Sequence, residues 1–336
     1  MQKICTYLIV QTLLLVITNS SFAQIPDEHR IRLAEAFRIS KLLGEQVWTS
    51  WSEVPFSTLL IVDEKEYLIR HAKPSDEFIS IGYDSLLESE VWVRDRQFNP
   101  AFLACFPAVG GIPTVVVGTP EKTGKDGADW IITLLHEHFH QLQYTRPDYY
   151  ERVNQLGLSE KEDDGNWMLN YPFPYEDEKI GELMEELSQI LVDGMYAPGL
   201  RRQIKVAKKY HRLQKKLKKS LSEKDYRYLH FQLWQEGIAR YTELIVAGKV
   251  AQLYQPTELY SSLNDPVPLR EMAHIKRETV KQELTQMSLQ SARRGAFYPI
   301  GAAMGLWNDR IHPGWTERYF TYMFELEKTV LRTPSR

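Results

Sequence analysis

The chain has 336 residues, 41 Lys and Arg against 44 Asp and Glu, a net charge of −3, and two cysteines, Cys5 and Cys105. That mildly acidic balance argues against a nucleic-acid partner, and two cysteines are too few for a disulfide framework. The length and the spread of Trp, Tyr and Phe are enough for a core without covalent staples, in one large domain or two lobes.

Residues 1–23 open with Lys3, continue through the apolar run 7–17 and end in small polar residues. Ser21 and Ala23 stand at the −3 and −1 positions of a small-x-small cleavage site. This pattern predicts a secretory signal peptide with the mature chain starting at Gln24, and so a secreted or periplasmic protein. An uncleaved anchor is the alternative, although the apolar run is short for a bilayer. Cleavage would remove Cys5, leaving Cys105 as the single thiol. No later stretch approaches transmembrane length.

An amphipathic helix is expected over 27–47, burying Leu33, Phe37, Leu42 and Leu43. A strand-rich region follows, with a hairpin of 57–62 and 67–70 around Asp63-Glu64-Lys65-Glu66. Further strands are expected over 77–82, 91–96, 102–108 and 113–118. From Gly127 onward the pattern turns helical, with helices over 128–144 and 149–156 and a loop over 163–175. Long helices follow over 176–195, 200–219, 223–253, 270–291, 299–310 and 316–331. No repeat and no low-complexity tract appears. The expected fold is α+β: a small mixed sheet lobe over 24–145, ending in a histidine-bearing helix, then a mostly helical lobe over 146–336.

Residues 201–219 hold ten Lys or Arg, while Ile204, Ala207, Tyr210, Leu213 and Leu217 fall near one face. The pattern has two readings. One is attachment to an anionic surface; the other is a solvated outer helix paired with acids such as Glu182, Glu185 and Glu186.

The helix over 128–144 contains His136-Glu137-His138-Phe139-His140, one H-E-x-x-H match. At 3.6 residues per turn, His136 and His140 stand one turn apart on one face, where two imidazoles can share a metal ion. Glu137 lies about 100° around the helix, close to that ion without binding it, as a general base must. His138 points elsewhere, as a packing or supporting residue. Two ordinary, partly buried histidines remain the plainer reading of the pentapeptide alone.

Downstream stands Trp234-Gln235-Glu236-Gly237-Ile238-Ala239-Arg240-Tyr241-Thr242-Glu243. H-E-x-x-H followed by W-x-E-G-x-A-x-Y-x-E resembles the gluzincins, zinc metallopeptidases whose third ligand is a glutamate. The motif is most similar to that of the membrane alanyl aminopeptidases. The resemblance implies a zincin-like fold and one Zn²⁺ per chain on His136, His140 and Glu236. It also implies a peptide or protein substrate.

Gly237 inside a helix points to close packing, for instance against the histidine helix. Glu243, two turns after Glu236, is either an acceptor for a ligating histidine's free N–H or a surface glutamate. Tyr298 and Gly301 form a Y-x-x-G pattern, and by similarity to the aminopeptidases Tyr298 would stabilise an oxyanion. The segment 110–117 holds either the edge strand on which zincins dock an extended substrate or an ordinary core strand. The interval from His140 to Glu236 is several times longer than in the alanyl aminopeptidases and must hold an inserted helical pair. Their G-A-M-E-N motif is absent, so the resemblance reaches the gluzincin class and not an aminopeptidase. The expected function is a secreted zinc peptidase with Glu137 as general base. The alternatives are a non-catalytic peptide- or partner-binding module and a metal-dependent hydrolase of another substrate.

Overall fold

A computed structural model describes residues 24–159 and 166–329. The expected signal peptide, 1–23, lies outside the described residues. Helix α1 spans Asp27–Leu43 and buries Leu33, Phe37 and Leu43, but Leu42 points to solvent, 52% exposed.

Six strands follow: β1 Thr58–Val62, β2 Lys65–Ile69, β3 Ile79–Asp84, β4 Ser89–Asp95, β5 Leu103–Val109 and β6 Ile112–Gly118. They form one sheet in the order β3-β4-β2-β1-β6-β5, antiparallel except where β1 runs parallel to β6. The β1–β2 turn is tighter than the sequence suggested. Val62 pairs with Lys65, so only Asp63 and Glu64 turn, with Asp63 at φ 49°. Glu66 belongs to β2 because its buried carboxylate takes Arg94 Nε at 2.8 Å and the backbone N–H groups of Gln97 and Phe98.

Both sheet faces are covered, which is why β1 reads as an unbroken apolar run. Leu60, Val62, Tyr67, Ile69, Val115 and Val117 face the helices. Leu59, Ile61, Leu68 and Val116 face a second cluster with Phe78, Phe98, Phe102 and Phe106. The strand within the 110–117 segment is β6, a core strand bonded by β1 on one side and β5 on the other. The edge belongs to β5.

Helix α2, Gly127–Tyr144, lies against β5 and β6. Then come α3 Glu178–Tyr196, α4 Gly199–Ser220, α5 Glu223–Gln232, α6 Ile238–Leu253, α7 Met272–Thr285 and α8 Phe297–Ile311. The long helix expected over 223–253 is interrupted by a π-helical turn, Leu233–Gly237, between α5 and α6. The helix expected over 270–291 stops at Thr285; a separate turn, Leu289–Ala292, follows with Ser288 as its cap. The helix expected over 316–331 is replaced, among the described residues, by two short turns, Thr316–Tyr319 and Leu326–Thr329. Between them Phe324 takes φ 60° so that its ring meets Trp234, on which Tyr319 also stacks. Aromatic packing outweighs local helical preference there. The helix-side core runs from Ile25 to Leu326 as one apolar cluster. No described helix is long and apolar enough to cross a membrane.

Candidate metal centre

Helix α2 is fixed before it presents any chemistry. The Asp126 carboxylate caps its first turn by accepting from Asp129 N–H at 2.9 Å, and Trp130 Nε1 donates to Gly118 O of β6, also at 2.9 Å. Residues 130–135 are all buried, so the helix enters the core before it reaches His136.

His138 completes this anchoring. Its ring stacks on Phe56 at 3.9 Å and lies 5.3 Å from Trp51, and its Nδ1 meets Gln141 Oε1 at 2.8 Å. The Gln141 amide then donates to Ser57 O and Pro113 O, pinning the helix to β1 and β6. Burial drives the His138 pKa down to about 3, so the imidazole stays neutral.

His136 and His140 stand on a different face, as their spacing predicts. Their Nε2 atoms are 3.2 Å apart, and Glu236 Oε2 lies 3.7 Å from the first and 3.5 Å from the second. These residues form a group that could hold a metal ion. Tetrahedral donors at zinc-like bond lengths would sit roughly 3.3 Å apart, so the spacing fits such an ion with little adjustment.

The orientation of each imidazole is set from behind. His136 Nδ1 meets Glu243 Oε1 at 2.7 Å, and His140 Nδ1 meets Gln143 Oε1 at 2.6 Å. With those nitrogens as donors, both rings aim an Nε2 lone pair at the common point. The Gln143 amide is held in turn by Gln235 O, at 3.1 Å, and by the Tyr319 hydroxyl, at 2.7 Å. Tyr149 O–H donates to Gln235 Oε1 at 2.9 Å. Glu243 is therefore a buried acceptor, not a surface residue. Lys276 Nζ at 2.8 Å and Arg240 Nη1 at 3.2 Å offset its charge, and Lys276 continues to Asp129 at 2.6 Å.

Three carboxylates, Glu137, Glu236 and Glu243, thus surround two imidazoles in a buried space. Burial works against a charged His136, yet hydrogen bonds to Glu236 and Glu243 lift its pKa to about 9. Burial also raises the Glu137 pKa, against the pull of His136 and His140. In both cases the site favours added positive charge, from a proton or a cation.

Glu236 occupies the π-turn, a widened turn of a kind frequent at functional sites. Gly237 is indeed a close-packing residue, but its partner is α8 and not the histidine helix. A Cβ on Gly237 would lie 2.5 Å from Gly301 Cα, and one on Gly301 would lie 2.4 Å from Gly237 Cα. The two glycine motifs therefore meet backbone to backbone. That contact brings the start of α8 over the site, where the Tyr298 ring lies nearly parallel to His136 at 6.2 Å. Burial and the nearby Glu236 carboxylate hold the Tyr298 phenol well above its ordinary pKa, so it remains a neutral donor.

Arg294, one turn before Tyr298, escaped the sequence reading. Its Nη1 donates to the Tyr298 hydroxyl at 2.8 Å and approaches Glu236 Oε1 at 3.4 Å. Gln143, Gln235 and Lys276 were missed as well. A signal for the first existed: Gln141 and Gln143 each follow a histidine of the same helix by three residues, the spacing of facing partners. Two acids in the interval between His140 and Glu236 are engaged elsewhere, Glu176 with Arg293 and Glu186 with Lys216. No family model, curated protein or solved structure matches the chain.

Proposed function

We propose that the protein is a secreted zinc-dependent peptidase of gluzincin type, with a zincin-like arrangement of sheet and active helix. The observation that carries this reading is the convergence of His136, His140 and Glu236 on one point with Glu137 beside it. Two imidazoles and a carboxylate are the donor set of a catalytic zinc site, which keeps a fourth position for water or substrate. A zinc ion bound there supplies Lewis acidity and makes water a stronger acid.

The chain's own groups divide the remaining work. Glu137 takes a proton from the attacking water and delivers it to the leaving amine; its raised pKa suits a group that must hold a proton part of the time. The Tyr298 hydroxyl, neutral and hydrogen-bonded to Arg294, donates to the oxyanion that develops on the scissile carbonyl. The Arg294 charge strengthens that donor. Strand β5, an open edge, adjoins α2: Tyr144 O–H donates to Cys105 O at 3.3 Å, and burial, with the Glu137 carboxylate adding to it, holds the Cys105 thiol well above its ordinary pKa. An extended peptide is the substrate such an edge accepts.

The test is metal analysis followed by hydrolysis of a mixed peptide library. The reading expects about one zinc per chain and cleavage that stops on chelation. Glu137→Gln should keep the metal while turnover falls by about 10²–10⁴-fold. Undiminished hydrolysis in that variant would remove Glu137 from the mechanism. Carefully prepared protein that binds no zinc would instead favour a non-catalytic binding module.

A further inference from the structure

The strongest feature outside the metal centre is α4. Its ten Lys and Arg residues are all exposed, and the helix has no Asp or Glu. Those ten positive charges belong to a chain of net charge −3, so the rest of the sequence carries −13. The basic residues also share a face. At 100° per residue, nine of them, all but Lys218, fall within about 140° of arc along a helix roughly 33 Å long. The opposite face, with Val206, Ala207, Tyr210, Leu213 and Leu217, is buried in the core. Acids of α3 neutralise little of this. Lys216 reaches Glu186 at 3.4 Å and Lys209 reaches Asp193 at 4.0 Å, all four side chains being largely exposed. Glu182 and Glu185 form no ion pair among the described residues.

An apolar element adjoins the charges. Tyr196, the last residue of α3, is 58% exposed, and Leu200, in the first turn of α4, is 55% exposed. Both stand where α3 turns into α4.

We infer that α4 is a docking face for an anionic phospholipid surface. The basic stripe meets the headgroup phosphates, while Tyr196 and Leu200 enter the boundary beneath them. The acidic remainder is repelled by the same surface, so the molecule docks in one orientation. Exposed apolar residues beside the stripe favour a bilayer over a nucleic acid, which offers no acyl layer to receive them. The inference is independent of the metal centre, and a metal-free or Glu137→Gln protein docks equally well.

Cosedimentation of the full chain with vesicles decides the matter. Vesicles of equal parts phosphatidylcholine and phosphatidylglycerol should bind it at low salt and release it at high salt; pure phosphatidylcholine vesicles should not bind it. Joint reversal of Lys205, Lys208, Arg212 and Lys215 to Glu should lower the partition coefficient by on the order of 100-fold or more. Leu200→Ser with Tyr196→Ser should lower it by roughly tenfold. All six positions are exposed, and circular dichroism checks that the variants stay folded. Equal binding to neutral vesicles, full binding by the reversal variant, or displacement of the protein from vesicles by duplex DNA would each overturn the inference.

Discussion

Helices α2 and α4, of 18 and 22 residues, both carry concentrated ionisable side chains. In α2 those groups are buried, and the two facing histidines each have a fixed partner: Glu243 behind His136 and Gln143 behind His140. In α4 they stand in water, with two loose ion pairs among ten cations. Burial converts charge into geometry, because a desolvated group must be matched to within tenths of an ångström. Exposure leaves charge as a field, in which sign and density matter and individual positions hardly do. Substitutions should therefore act sharply and singly in α2 and its surroundings, and weakly unless combined in α4.

The largest contrast should appear with pH in metal-free protein. There His136 titrates at about 9 instead of 6.5. Its contribution to stability is complete below pH 6.5 and disappears as the pH rises through 9, about 3 kcal/mol in all. Glu137, whose pKa is also raised, acts in the same direction. Thermal unfolding of chelated protein should show a lower Tm above pH 9 than below pH 6.5, and loading the metal should largely abolish the difference. A Tm that does not change with pH in chelated protein would break the contrast at its centre.

Gly301→Ala comes next. The new methyl would sit 2.4 Å from Gly237 Cα, so α6 and α8 must part. Overpacking of this kind costs about 1–3 kcal/mol, read as a lower denaturant midpoint. Turnover should fall with it while bound metal persists, because Tyr298 moves and the ligands do not. Glu243→Gln should weaken metal affinity by about tenfold or more, measured by competition with a chelating dye, since His136 loses its charged acceptor. At the small end, replacing Lys209 or Lys216 singly by Ala should shift stability by no more than about 0.5 kcal/mol. A loss well above that would show that α4 uses its charges structurally after all.

Wherever one local periodicity governed, the sequence was readable. All six strands and the histidine helix fall within a few residues of expectation, because alternation and the 3.6 repeat are properties of the segment itself. The same holds for the meeting of His136 and His140 on one face, and for the separate fate of His138. Glu236 and Tyr298 needed the resemblance to guide them, and the structure places both beside the histidines. Arg294 and Lys276 were invisible because their positions depend on how helices cross, which no single segment encodes. The breaks at Leu233–Gly237 and around Phe324 have the same origin: each is a local irregularity imposed by packing. Leu42 was misplaced because an apolar residue at the margin of a helical stripe can fall on either side of it.

The contact between Gly237 and Gly301 has a consequence for how such a protein can vary over time. In most packed pairs a larger residue on one side is accommodated by a smaller one on the other. Here both partners already have the smallest side chain, so neither can yield to the other. The pair is a one-way door in sequence space. A lineage that acquires it keeps both glycines together or gives up the helix crossing, and with that crossing the alignment of Tyr298 over His136.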